Sequence, residues 1–280
     1  MAALVATSTQ FPTLGKALEI QSLHQSTTLY NNLPDDCDQP AVLDKHINNL
    51  AALFTRHNAD KVFGIHLIHG HFQIPAGTVM LGANFENPKL RWTKATEIES
   101  IDTASIHGHI FVLTEDGLCA YELQEGPLPD LSGVGHGFLT DFVNYIVQNN
   151  LTNLIGLQVL GCCDGSMSEL ILDHGTVMLD SSVVKNTLPA RITGWSFESV
   201  NGTPRACQAN ETHSAMTSGN HKVFNAGKPH PKLENVQDLK AALVEAGILW
   251  PAVLNWYSSW NETCWDCSLL GSHSATRYLT

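Results

Sequence analysis

Apolar stretches in this chain are short and are cut by turn-forming residues, so the sequence can build many strands but no long hydrophobic helix. Glu115-Asp116-Gly117 interrupts an alternating apolar pattern that runs from Ile106 to Leu123, and Asp173-His174-Gly175 interrupts a similar one from Glu169 to Asp180. Asp-Gly suits a tight hairpin because the central positions of such a turn need left-handed backbone. A third pair of runs, Val62 to His69 and Thr78 to Leu81, is joined through Pro75-Ala76-Gly77 and predicts a further strand pair over 62–82. Three ribbons predict an α+β fold: a hairpin-rich curved sheet or small barrel with flanking helices.

The helices have their own signals. Leu43, Ile47, Leu50 and Phe54 share one helical face, preceded by Asp38 as a cap and Pro40 in the first turn, and followed by Arg56 and His57. A second helix is predicted from about Gly137 to Asn149, and a third over Val236 to Ala246, capped by Asn235 and stopped by Gly247. Further strands are expected at Leu154–Leu160 and Arg191–Val200, while 201–235 reads as turn-rich. Residues 1–37 read as a partly ordered arm, and 38–280 as one domain with a Trp-rich C-terminal tail. Gly77-Thr-Val-Met-Leu81 recurs as Gly175-Thr-Val-Met-Leu179, and Ile68-His-Gly-His-Phe72 is echoed by Ile106-His-Gly-His-Ile110. The two spacings differ, so a single tandem duplication does not account for both, and the domain is not divided on them.

Charge narrows the partners. A formal net charge of −12 repels phosphate backbones and anionic headgroups, which argues against nucleic acid and anionic membrane surfaces as partners; a small-molecule substrate is expected with the enzyme readings below. The N-terminus has no basic region ahead of an apolar core, and no run approaches the ~18 apolar residues of a spanning segment. Seven cysteines over this length point to reduced thiols, so a cytoplasmic location is expected. Nucleotide-binding glycine loops are absent, and no nucleotide cofactor is expected. The tail residues Trp256 and Trp260 fall on one helical face with Val253, which suits docking on the domain or on a second copy of the chain.

Histidine is the unusual residue, at 14 against 15 lysines and arginines together. In extended chain, residues two apart face the same way, so His69 and His71 can present two imidazoles to one divalent metal such as Fe, Zn or Cu. A cupin-like spacing would place an acidic ligand five residues on, where Ala76 stands. His107 and His109 form a second His-x-His, with Glu97, Glu99 and Asp102 upstream, and either these histidines or a nearby carboxylate is expected to complete the sphere. Cys264, Cys267 and His273 offer another chelating set, and Cys207 with His213 a nucleophile and base. Three readings follow: a metal-dependent enzyme using His69 and His71, a metal-free acid/base enzyme, and a binding protein that docks through its tail.

Two segments carry a resemblance. Gly64-Ile-His-Leu-Ile-His-Gly-His-Phe72 is similar to the Leu-x-His-x-His-Phe segment of a group of uncharacterised fungal proteins, and Ala120-Tyr-Glu-Leu123 to their Pro-Tyr-Glu-hydrophobic segment. Trp195, Cys207 and His213 correspond to later elements of that group, whereas Gly70 and Thr78 stand where it has Arg and Glu. The resemblance implies a cytosolic protein of fungal specialised metabolism and brings no defined activity.

Overall fold

The structure is a computed structural model and describes residues 14, 17–161, 165–224 and 231–251, apart from the side chains of 208 and 209. Ten strands close into one barrel: β1 (Phe63–Leu67), β2 (Thr78–Phe85), β3 (Leu90–Glu97), β4 (Ile106–Thr114), β5 (Gly117–Glu125), β6 (Ile155–Val159), β7 (Met167–Ile171), β8 (Gly175–Asp180), β9 (Thr187–Val200) and β10 (Thr203–Met216). Four helices lie around it: α1 (Ile20–Asn31), α2 (Asp44–Arg56), α3 (Phe138–Gln148) and α4 (Val236–Glu245). The α+β class and a barrel are as the turn signals predict, and the barrel is larger and more strand-dominated than three ribbons imply. Closure removes every sheet edge, which answers the edge-pairing hazard of so many short strands.

Two of the three ribbons form as expected, β4 with β5 around Asp116-Gly117 and β7 with β8 around His174-Gly175. The strand pair predicted over 62–82 does not. β1 pairs with β6 and β9, and β2 with β3 and β5, because Ile68 to Gly77 is too long and irregular to act as a hairpin turn. The segment expected to be turn-rich contains β10, a long strand irregular enough (register shifts beside Ala206, Glu211 and His213) to hide its alternation. Within the N-terminal arm, α1 packs Leu23 and Tyr30 inward although its polar residues mask the stripe. Helix α2 begins at Asp44 after a short turn at Asp36–Asp38, rather than at Asp38, since Pro40 holds the preceding backbone extended.

Most of the apolar core lies outside the barrel wall, while a smaller cluster, Met80, Ile110 and Tyr121 with Tyr30 of α1, lies on the side that Glu122 faces. Phe54 on α2 meets Phe138 and Phe142 on α3 and Phe197 on β9 with ring centroids 4.9, 5.9 and 4.8 Å apart. Leu239 and Leu243 of α4 bury against Leu170, Val177 and Leu179 on the other flank. Asn235 caps α4 by accepting from the amides of Gln237 and Asp238 at 2.9 and 3.0 Å. Replacing Asn235 by alanine leaves those donors to solvent and is expected to cost ~1 kcal/mol, read as a lower midpoint in urea with an unchanged slope.

The barrel has an internal symmetry that its letters do not show. Around the wall the order is β1-β6-β4-β5-β2-β3-β8-β7-β10-β9, and exchanging each strand with the one five later reproduces the same circle. Registers obey it as well. Glu122 on β5 pairs with Met80 as Glu211 on β10 pairs with Met167, and Gln124 pairs with Gly82 as His213 pairs with Glu169. Ile110 lies between Glu122 and Gln158, as Gly194 lies between Glu211 and His66. The repeated Gly-Thr-Val-Met-Leu falls on β2 and β8, which are not equivalent strands, so that letter match is not the trace of this symmetry.

Candidate metal centre inside the barrel

Beyond β1 the chain turns inward and carries His69-Gly70-His71 across one end of the barrel. Gly70 is held by its N–H to the carbonyl of Pro34 at 2.8 Å. A Cβ at Gly70 would lie 3.2 Å from the Leu33 Cβ, so glycine permits this close approach. His69 Nδ1 lies 2.8 Å from the carbonyl of Leu67 and donates to it, which leaves Nε2 as the nitrogen with a free lone pair. That Nε2 is buried without a hydrogen-bond partner among the described residues, 3.8 Å from Glu169 Oε2. His71 Nε2 lies 3.4 Å from the other oxygen, Glu169 Oε1.

Glu169 comes from the middle of β7 and is buried. Its Oε2 also has no hydrogen-bond partner among the described residues. One ligand atom from each of His69, His71 and Glu169 lies within 4.8 Å of the other two. His213, beside Glu169 in register, adds a third ring, 5.0 Å from His71 and 6.4 Å from His69 between centroids. Its Nδ1 is 2.7 Å from Asp36 Oδ2, and its Nε2 is a third buried nitrogen or oxygen without a hydrogen-bond partner among the described residues. A carboxylate on one imidazole nitrogen fixes the tautomer and raises the basicity of the other, the usual support of a metal-bound histidine.

Electrostatics agree with the geometry. Burial alone would raise the Glu169 carboxyl, but the His71 hydrogen bond and the charges of His71, His69 and His213 hold it well below the ordinary range. Burial lowers His71, and the bond to Glu169 and its charge outweigh burial to leave the ring above its usual value. His69, buried beside His71, is pushed down to about 4, so it stays neutral and able to donate its lone pair. The His71 ring and the Glu169 carboxylate thus favour opposite charges, 3.4 Å apart, where a cation would fit.

Deeper in the barrel lies a second polar layer. Arg91 Nη2 donates to Glu122 Oε2 at 2.6 Å, its Nη1 contacts His109 Nε2, and Gln158 Nε2 donates to both oxygens of Glu211 at 2.9 and 2.8 Å. His66 stacks on His69 at 5.2 Å and reaches Glu211 Oε2 at 3.7 Å. Burial raises Glu122 to about 7 and raises Glu211, and lowers His66 to about 3. Among the described residues the barrel interior therefore gathers three glutamates, Glu122, Glu169 and Glu211, against the single guanidinium of Arg91.

The predicted site residues separate. His69, His71 and His213 converge. His107 and His109 do not join them: β4 runs parallel to β1, so its first residues lie at the opposite end, where His107 Nδ1 meets the Gly126 carbonyl and His109 meets Arg91. The carboxylate that completes the cluster is Glu169 rather than Glu97, Glu99 or Asp102. Cys207 and His213 do not form a nucleophile and base, since six residues of strand separate them by roughly 15–20 Å. Cys207 lines a cavity with Trp195 and Phe197, while His213 lines another with His71 and Asp36. Cys264, Cys267, His273 and the aromatic tail lie outside the described residues. Sequence reasoning missed Glu169 and Asp36; a lone glutamate within Met167-Ser-Glu-Leu-Ile171, buried on both sides, was the available signal for the first.

Fold and site together define a closed mixed β-barrel with a buried two-histidine, one-carboxylate cluster at one end of its lumen. Compared with protein-family models, curated proteins and solved structures, the chain matches none of them.

Proposed function

We propose that the protein is a metal-dependent enzyme acting on a small molecule, with His69, His71 and Glu169 as ligands and His213 beside them. The observation that carries this reading is the convergence of buried, unpartnered atoms on one point: His69 Nε2, Glu169 Oε2 and, next to them, His213 Nε2. Leaving such groups bare costs ~1–3 kcal/mol each, and a cation removes that cost. A divalent ion would also balance the Glu169 carboxylate, which the neighbouring rings hold ionised despite burial. Two imidazoles and a carboxylate with open positions suit Fe(II) and Zn.

Access is from the same end. A cavity of about 490 Å³ is lined by Asp36, His71, His213, His221, Lys222 and Phe224, enough for a small organic substrate. A metal there would polarise a substrate oxygen or activate water, and Asp36 would hold His213 in register beside it. No helix among the described residues is long and apolar enough to cross a membrane.

Metal analysis tests the reading. Protein grown with supplemented Fe, Zn and Mn and purified without chelator is expected to carry one equivalent of a transition metal, lost in the His69→Ala/His71→Ala double variant. A folded wild-type protein that neither retains nor takes up any of these ions would sink it.

A further inference from the structure

We infer that Arg191 is a positioning residue for the metal centre, acting through the strap of residues 33–40 that spans the barrel end between α1 and α2. This rests on the metal reading above.

Arg191 lies on β9, in register with His213 on β10. Its donors go to the strap's backbone: Nη1 to the carbonyls of Asp36 and of Gln39, the latter at 2.8 Å, and Nη2 to the carbonyl of Pro40 at 2.6 Å. A planar guanidinium that gathers three carbonyls over five residues fixes their curvature, which a lysine's point charge cannot do. The strap passes that order on in two directions. Toward the His69-Gly70-His71 segment, Pro34 accepts from Gly70 at 2.8 Å, and Gln39 donates to Ile68 at 2.5 Å and to Asn153 at 2.8 Å. Toward β10, Asp36 presents Oδ2 to His213 Nδ1 at 2.7 Å. One short stretch of backbone thus sets both the histidine pair and the tautomer of the third ring, His213. Arg191 itself touches none of the cluster's ligand atoms among the contacts just described.

Cobalt(II) titration of the metal-stripped, full-length protein separates this role from a general structural one, because d–d absorption reports the ligand geometry. Wild type is expected to bind one Co²⁺ with an intense visible band. Arg191→Ala should bind ~10–100-fold more weakly, the range found when an outer-shell partner is removed, with a shifted band and a metal-free melting curve close to wild type. Arg191→Lys should recover part of the affinity. Asp36→Asn, which leaves the three carbonyl bonds in place, should weaken binding similarly, and Arg191→Ala/Asp36→Asn should lose less than the product of the two single losses. Affinity and spectrum of Arg191→Ala indistinguishable from wild type would overturn the inference, as would fully multiplicative losses. Should Arg191→Ala not fold, Arg191→Lys and its cycle with Asp36→Asn measure the same coupling, with the same two outcomes counting against it. A wild-type protein that takes up no Co²⁺, Zn²⁺ or Fe²⁺ removes the metal reading itself, an outcome distinct from metal binding that ignores Arg191.

Discussion

Glu169→Gln is expected to lower affinity for a divalent metal by at least ~100-fold while leaving the barrel folded, since removing a directly bound ligand should cost no less than loss of an outer-shell partner. The amide keeps the volume of the buried side chain and removes its charge, so packing on β7 is preserved. Loss of the carboxylate also frees His71, whose ring is held above its usual range by Glu169 against the pull of burial. Without that partner, burial prevails and the His71 ring should titrate below its ordinary value, visible as a lowered midpoint in histidine-resolved NMR titration of the metal-free variant. An unchanged metal affinity in Glu169→Gln would show that the two histidines do not share this carboxylate. An unchanged His71 midpoint would show that the 3.4 Å contact is not maintained in solution.

Phe54→Ala should be the most destabilising single change outside the lumen. The ring is fully buried and holds three others together, Phe138 and Phe142 on α3 and Phe197 on β9. Truncation removes transfer energy and leaves a cavity that three aromatic rings cannot collapse to fill, an expected loss of ~3–5 kcal/mol. For a domain of this size each kcal/mol moves the melting temperature by ~2–4 °C, so a drop of roughly 6–20 °C is expected by calorimetry. Metal affinity of the folded fraction should change little, because the cluster hangs on β1, β7 and β10 rather than on α2. A shift of under about 2 °C would mean that α2 is not anchored through this ring.

Legibility followed the range of the interactions. Hairpins whose turns are spelled locally, at Asp116-Gly117 and His174-Gly175, could be read from the chain, and so could α4 with its Asn235 cap. Pairings set by closure could not: β1 takes partners from β6 and β9, far along the chain (Phe63 with Val159, Ile65 with Trp195), and nothing near Phe63 encodes that choice. The site divided along the same line. His69 and His71 announced themselves by spacing, whereas Glu169 reaches them only because β7 runs parallel to β10 in the closed wall. His107 and His109 carried the same local signature and were placed elsewhere, since strand direction decides to which end a motif points.

The exchange of strands between the two halves of the chain bears on how such a barrel arises. β1 has both its neighbours in the second half, and β6 both of its neighbours in the first, so neither half alone can seal its own seam. Two identical half-length subunits that traded their leading strands would close the same wall, with matching chemistry at either opening. Joining them in one polypeptide lifts that obligation. Position 82 is glycine where its counterpart 169 is glutamate, and 124 is glutamine where 213 is histidine. One opening thus carries the His69, His71 and Glu169 cluster while the other carries His107 and His109 beside Arg91, an asymmetry open to a single chain and closed to a homodimer.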